Sequence, residues 1–372
     1  MTRAGRAWTL ATFAALFVAG PVLPLLVGRA ERLRQGTPAD DAPRRELPPD
    51  PLVEVIVPAY LESSTIGPSV ERLVQDLTKA GLRHRVHVVA SDEATALAAA
   101  GASQVTSAGR NGKPAAINLG VAGSEADVIV LTDANCEIQP ADWPGILLAE
   151  LADADLVSGN KTERASTEAL FWRFESWVKG RRHGRSSTLA VVGEFLAFRR
   201  EQFRPVPPAT MTDDLWLALD FNARGLRVVT SASISTSEEP VSPADQWERR
   251  VRIAEGVLTE ALPRTWELAQ TAVGRHYLAH KVYRMTAGVT AFWVTTALLA
   301  GWRPRSTAPL VVLPVTAAIA QYCGVLRVRT PLDPVSALVA MQAVPVAAAL
   351  RLLRRRLGHG VGPAVGWRKV AR

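Results

Sequence analysis

The sequence predicts an α/β domain on an open, mostly parallel sheet, set between apolar segments of membrane-spanning length. Short apolar runs at 53–57, 86–90 and 128–132 alternate with helical patterns across residues 52–260. Strand, helix, strand is the opening of a parallel sheet with covering helices. Outside that region apolar residues gather at 8–27, 285–302, 307–326 and 335–350, the last extending to 353 if an arginine snorkels. A hydrophobic fraction of 48% and a mean hydropathy of +0.09 are high for a chain held wholly in water, so part of it is expected in lipid.

The 372 residues suffice for one large domain or two smaller ones. Arg3 and Arg6 precede the first apolar block, as in a signal peptide, but Pro21 and Pro24 followed by Leu25, Leu26 and Val27 give no small-residue cleavage site. An uncleaved anchor over 1–28 is therefore expected. Residues 29–51, rich in Pro, Arg and Asp, read as a linker. In the domain that follows (52–260), 53–57 is a strand, 69–80 a helix and 86–90 a second strand. Asn111-Gly112 makes a turn into a helix reaching 123, with Lys113 near its start, and 128–132 and 155–158 return to strand.

A helical pattern at 165–179 carries Phe171, Trp172, Phe174 and Trp177, which suit either core or an acceptor-side or membrane-proximal surface; a basic polar loop covers 180–188. Thr212 is a candidate cap for a helix over 212–223, with Asp213 and Asp214 in its first turn and Gly225 beyond its end. Strand 226–230 and an Arg- and Glu-rich helix over 243–258 complete the domain. A connector at 261–284, membrane helices within 285–353 and a basic tail at 354–372 follow. The first three apolar blocks approach the roughly 20 residues that cross a bilayer core. The fourth is short and interrupted by Gln342.

The net charge of +8 owes much to arginines beside the apolar blocks: Arg29, Arg32 and Arg34, then Arg351, Arg354, Arg355 and Arg356. Lipid headgroups, or plain solubility, explain them better than nucleic acid, because no helix-turn-helix, zinc or aromatic-platform pattern accompanies them. Cys136 and Cys323 suggest neither a disulfide framework nor a structural zinc site.

Open parallel sheets bind ligands beyond the carboxyl ends of their strands, which brings 58–62, 91–93 and 133–135 to one rim. Asp133 and Asn135, two residues apart, offer oxygens to a hard cation shared with phosphates, or simply form an Asx-type turn. Of Asp213 and Asp214, one carboxylate can accept a proton from an attacking hydroxyl, while at least one of the pair suits helix capping. Gln246 and Arg249 share a helix face, and an arginine fork there suits a diphosphate; Arg249 and Arg250 equally suit salt bridges with Glu248 or Asp245. Lys113 near a helix start can pair with phosphate, and His183 and Arg185 can touch phosphate or acceptor or be solvated. There is no nucleoside-triphosphatase phosphate loop, dinucleotide fingerprint or Gly-x-Ser-x-Gly elbow.

Taken in order, these elements resemble the inverting glycosyltransferases of family 2 over residues 53–258, in particular the membrane-attached branch that includes cellulose, chitin and hyaluronan synthases. VEVIVPAYLE resembles the family's first strand, which implies that Pro58, Ala59, Tyr60 and Glu62 line the nucleotide base. Asp92 in VVASDEA matches the acid that contacts the nucleoside, Lys113 in NGKPAAINLG the segment beside the donor, and Asp133 with Asn135 the Asp-x-Asp motif. VGEFLAFRR resembles the strand beside the acceptor, with Gly193 at the pocket wall. In MTDDLWLALDFNARGLRVV, Asp214 matches the proposed general base and Asp213 the preceding acid; QWERR matches Gln-x-x-Arg-Trp through Gln246 and Arg249.

The resemblance implies a Rossmann-like, GT-A type domain that uses Mg²⁺ or Mn²⁺ and a nucleoside diphosphate sugar, a UDP-sugar being expected. It implies transfer to a hydroxyl of a saccharide or lipid-linked acceptor. Two departures bear on this: Asn135 supplies a neutral oxygen donor where the motif has a second acid, and Arg250 stands where it has Trp, which makes processive polymer synthesis less secure than sugar transfer and leaves single addition open. A polyprenyl-phosphate sugar transferase and a non-catalytic membrane scaffold are the alternatives. The expected location is the cell membrane, multi-pass, with the catalytic domain in the cytoplasm, where nucleotide sugars are made. One span before the domain and three after would then leave the Arg-rich tail on the far side, against the positive-inside expectation.

Overall fold

Alternation within the first strand decides how the sheet is covered. A computed structural model describes residues 3–35, 46–162, 175, 187–238, 242–302, 304–326 and 333–358. In it, Val53, Val55 and Val57 of β1 (Val53–Ala59) pack on one face with Ile66, Val70, Leu73 and Leu77. Ile56 faces the other way, against Ala116 and Ile117. Glu54 also lies on that second face, fully buried, and is satisfied by Ser124 Oγ, which donates at 2.6 Å, and by His87 Nδ1 at 3.1 Å. A buried carboxylate is tolerated only with such partners.

The other strands are β2 (His84–Ala90), β3 (Gln104–Ser107), β4 (Val128–Thr132), β5 (Cys136–Gln139), β6 (Leu156–Lys161), β7 (Phe195–Arg199) and β8 (Val228–Glu238). They form one sheet in the order β3-β2-β1-β4-β7-β6-β8-β5. β3, β2, β1 and β4 are parallel, β7 runs against both β4 and β6, β8 is parallel to β6, and β5 is antiparallel to β8. Because β7 is reversed, its start at Phe195 lies opposite Thr132, the end of β4. One rim therefore collects the carboxyl ends of β1, β2, β4, β6 and β8 and the residues that precede β7.

The helices are α1 (Arg3–Gln35), α2 (Ile66–Lys79), α3 (Glu93–Ala98), α4 (Lys113–Ala122), α5 (Trp143–Leu151), α6 (Asp213–Ala223), α7 (Pro243–Gly256), α8 (Thr265–Gln270), α9 (Ala272–Tyr277), α10 (Val289–Ala300), α11 (Thr307–Tyr322), α12 (Asp333–Ala340) and α13 (Val344–Arg356). α2 and α5 cover one face of the sheet; α4 and α6 cover the other, joined by Val257 and Tyr277 from beyond α7. The 165–179 helix and its four aromatics lie outside the described residues apart from Glu175, as does the 180–188 loop up to residue 186. β8 far outruns the expected 226–230 strand because residues 235–238 pair with β5, a four-residue edge strand too short to show a period.

Of the four apolar blocks, two lie in helical runs long and apolar enough to cross a membrane, among the described residues: Gly5–Glu31 and Asp333–Arg356. α11 is apolar but spans 16 residues. The 285–302 block differs from a plain span, because π-helical turns at Leu278–Val282 and Arg284–Gly288 lead into a 12-residue α10. α1 is tied to this run by Tyr283, whose hydroxyl donates to Leu16 O at 2.7 Å, and by Arg275, which grips Glu31 at 2.7 and 3.0 Å. The basic end of α13 meets α7 of the domain, through Arg351 to Glu248 at 3.0 Å and Arg355 to Glu255 at 3.4 Å. That end lies beside the domain, where the count of three later spans had put it on the far side.

Candidate active site

Lys113 opens α4 after Gly112, whose φ of 86° belongs to glycine. Its ammonium is buried and donates to Asp133 Oδ1 at 2.7 Å, with Asp213 Oδ2 at 3.5 Å. One cation thus joins the end of β4 to the start of α6, 80 residues later in the chain. Burial opposes its charge, but Asp133 and Asp213 outweigh burial and hold the pKa above the ordinary value.

Asp214 sits next to this pair, accepting from Leu215 N at 2.8 Å. The backbone of Gly193 rests against it, so that a Cβ there would lie 3.3 Å from Asp214 Cβ. Burial, and then the neighbouring Asp213 charge, raise Asp214 to about 6, against the pull of Lys113 and Arg252. Thr212 caps α6 by its backbone without a side-chain cap bond, so neither aspartate stands at the cap position. Arg252, on α7, is half-buried in the field of Asp213, Asp133 and Asp214, and desolvation with the nearby Arg249 lowers its pKa.

A second charged group lies behind Asn135. Lys161 pairs with Glu194 and, at 2.9 Å, with Glu238; Arg249 donates to Glu238 at 2.6 Å and to Glu194 at 2.7 Å. Asn135 Nδ2 donates to Glu238 Oε1 at 3.0 Å, and Thr236 Oγ1 to Glu194 Oε2 at 2.9 Å. Burial opposes the charges of Glu238 and Arg249, but Arg249 and Lys161 hold Glu238 low, and Glu238 and Glu194 hold Arg249 high. Arg249 is thereby paired with two internal carboxylates rather than with Glu248 or Asp245. Gln246 is half-buried one turn earlier, and Arg250 is buried.

A shallow cleft opens beside Lys113, lined by Pro58, Ala59, Tyr60, Ser91 and Arg110, with the Arg110 guanidinium 5.0 Å above the Tyr60 ring. Asp92 and Glu62, expected beside the nucleoside, also hold the chain around that cleft. Asp92 caps α3 by accepting from Thr95 N at 2.9 Å, and it accepts from Leu61 N at 2.6 Å. Glu62, buried, accepts from Thr65 Oγ1 at 2.7 Å. Both brace the loop that carries Tyr60. His183 and Arg185 lie outside the described residues.

Among the described residues no group of three or more His, Cys, Asp and Glu side chains is placed to hold a metal. What the rim offers is the Asp133 carboxylate and, because the Asn135 amide nitrogen faces Glu238, the Asn135 oxygen. Two hard oxygens suit Mg²⁺ or Mn²⁺ that arrives with a diphosphate to complete its shell, and not an ion caged by protein alone.

Residues 54–205 match the family model for glycosyl transferase family 2. The protein is a glycosyltransferase. Its family 2 domain match ends before Asp213, Asp214 and Arg252. No curated protein matches the sequence. In fold, the glycosyltransferase is similar to the mannosyltransferase PcManGT from Pyrobaculum calidifontis, solved in complex with GDP-Man and Mn²⁺. The two are 24% identical, with a TM-score of 0.69 over 94% of this chain and 99% of that one. This likeness takes in the helices on both sides of the domain. Two further structures align with 58% of the chain: mannosyl-3-phosphoglycerate synthase from Rubrobacter xylanophilus, at 15% identity over 75% of its length with a TM-score of 0.42, and glucosyl-3-phosphoglycerate synthase from Mycobacterium tuberculosis, at 17% identity over 79% of its length with a TM-score of 0.41.

Within the glycosyltransferase site, sequence reasoning missed Arg252, Arg110 and the Lys161–Glu194–Glu238 group. Arg252 had a usable signal, since it falls one helical turn beyond Arg249 on the same basic helix. Lys161, Glu194 and Glu238 carry no local pattern; only the strand order brings them together.

Proposed function

We propose that the protein is a membrane-attached, inverting glycosyltransferase that moves a sugar from a nucleoside diphosphate sugar to an acceptor hydroxyl on a saccharide or lipid-linked molecule. The observation that carries this reading is Lys113, which joins Asp133 to Asp213 and so makes the donor rim and the base-bearing helix one site. The base and ribose of the donor pack in the cleft beside Tyr60 and Arg110, and the diphosphate lies toward Lys113 and Arg252. Asp133 and Asn135 would hold a divalent cation, which supplies charge neutralisation for the departing diphosphate.

Asp214 takes the proton of the acceptor hydroxyl while that oxygen attacks the anomeric carbon from the side opposite the diphosphate. The new glycosidic bond forms as the old bond to the phosphate oxygen breaks, and the configuration inverts. A carboxyl raised to about 6 suits this task, being ionised at neutral pH yet more basic than an ordinary aspartate. Arg250 in place of the aromatic of the processive synthases supports single addition. The helices at Gly5–Glu31 and Asp333–Arg356 support membrane attachment. The Arg351 and Arg355 contacts with α7 support a common, cytoplasmic side for the domain and the basic helix end.

The test is calorimetric titration of detergent-purified protein with GDP- and UDP-sugars, with Mn²⁺, Mg²⁺ or chelator. One donor should bind in a metal-dependent manner, and Asp133→Ala should lose that dependence. Undiminished metal-dependent binding by Asp133→Ala would overturn the assignment of the metal side of the site.

A further inference from the structure

The inward face of α7 continues past its end. Arg249, Arg252, Gly256 and Glu260 are spaced by three, four and four residues, so they follow one stripe down the helix and its π-helical extension, Val257–Ala261. The stripe meets three different parts of the site. Arg249 locks the carboxylates behind Asn135, Arg252 faces the aspartates, and the last two residues seize the turn before α6.

Glu260 Oε1 accepts from Met211 N at 2.9 Å and from Thr212 N at 3.2 Å, while Oε2 accepts from Thr212 Oγ1 at 2.9 Å. These two backbone amides precede Asp213 and Asp214 directly. The Thr212 hydroxyl, which would ordinarily cap its own helix, is spent on Glu260. From the other side, Gly256 presses on the same residue, and a Cβ added there would overlap the Thr212 side chain. The turn is therefore clamped between a carboxylate and a bare backbone, both supplied by a segment that has left the sheet and runs on toward the connector.

From this geometry we infer that Glu260 is a positioning residue for transfer: it fixes the Met211–Thr212 turn and thereby aims Asp214 at the acceptor hydroxyl. The inference rests on Asp214 being the base. Glu260 touches neither the cleft nor the reacting atoms, so its contribution passes through the backbone of 211–213. Misplacement of a catalytic group by about 1 Å costs on the order of 100-fold in rate, and the loss should fall on kcat while donor binding is preserved.

The experiment compares Glu260→Ala, Glu260→Gln, Gly256→Ala and Asp214→Asn in the full-length protein. It reads kcat and donor KM for transfer, and donor affinity by calorimetry. Glu260→Ala should lose about 100-fold in kcat with donor KM and affinity unchanged. Glu260→Gln should recover most of the rate, because its amide oxygen still accepts from both backbone amides and its NH₂ can donate to the Thr212 hydroxyl. Gly256→Ala, with Glu260 intact, should reproduce the kcat-selective loss. Wild-type kcat in Glu260→Ala, or a loss shared equally by donor affinity, overturns the inference. A Glu260→Gln variant as inactive as the alanine also overturns it, since charge and not position would then matter. If the alanine variant fails to fold, the Gln and Gly256 variants decide. Turnover by Asp214→Asn would overturn the base reading and this inference together, whereas a dead Asp214→Asn beside a fully active Glu260→Ala removes this inference alone.

Discussion

Replacing Asp214 by Asn should abolish turnover and stabilise the protein. The folded site raises this carboxyl from an ordinary 3.8 to about 6. At about 1.36 kcal/mol per pH unit, holding it ionised at pH 8 costs the fold about 3 kcal/mol. The sign follows from linkage. An acid whose folded pKa is raised destabilises the native state in full above about 6, and the penalty fades as pH falls toward 3.8, where the unfolded chain also takes up its proton. Asn removes the penalty and can retain the hydrogen bond from Leu215 N. Thermal denaturation in detergent at pH 8 and pH 5, beside a transfer assay, measures both consequences. The variant should melt higher than wild type at pH 8, and about half of the free-energy gain should remain at pH 5. A variant that melts lower at pH 8, or whose advantage is the same at both pH values, would refute the electrostatic reasoning. A stabilised variant with intact turnover would refute the base assignment.

In the wild-type enzyme, kcat/KM should fall about tenfold per unit as pH drops below about 6, the limb of a base with the Asp214 value. Asp213→Asn removes the carboxylate that helps raise Asp214, so the acid limb should move to lower pH; a limb that moves upward or stays put in a buffered pH series would contradict that coupling. Arg252 and Arg249 should separate cleanly. Arg252→Ala should lower kcat/KM while the protein still folds, whereas Arg249→Ala should destabilise the fold by up to about 3 kcal/mol, because two buried carboxylates would then share Lys161 alone, as melting curves and donor kinetics would distinguish.

Much of the sheet was legible because buried parallel strands are written as apolar runs: β1, β2 and β4 were found where Val and Ile cluster. The short strands β3 and β5 were not, since four residues at a sheet edge need satisfy no period and take their shape from a neighbour. The far half of β8 is extended for the same reason. Asp133, Lys113 and Asp214 could be singled out because each follows a strand or opens a helix, and chemistry gathers at such ends. The internal partners of Arg249 were not legible, because i,i+3 spacing states which residues share a helix face and not what that face meets. Asp92 and Glu62 show that an acid after a strand can brace its own loop, a role no spacing announces.

The α/β domain, its apolar flanks and the acids at the strand ends are written along the chain, because burial periodicity and turn chemistry are local properties. Tertiary structure alone decided which charges meet. The reversal of β7 brings Glu194 to the same rim as Lys161 and Glu238, one lysine couples Asp133 to Asp213, and the stripe on α7 places Arg252 and Glu260 against the aspartates and their turn. Electrostatic partnership depends on distance through space across a low-dielectric interior, and no spacing along a chain encodes it.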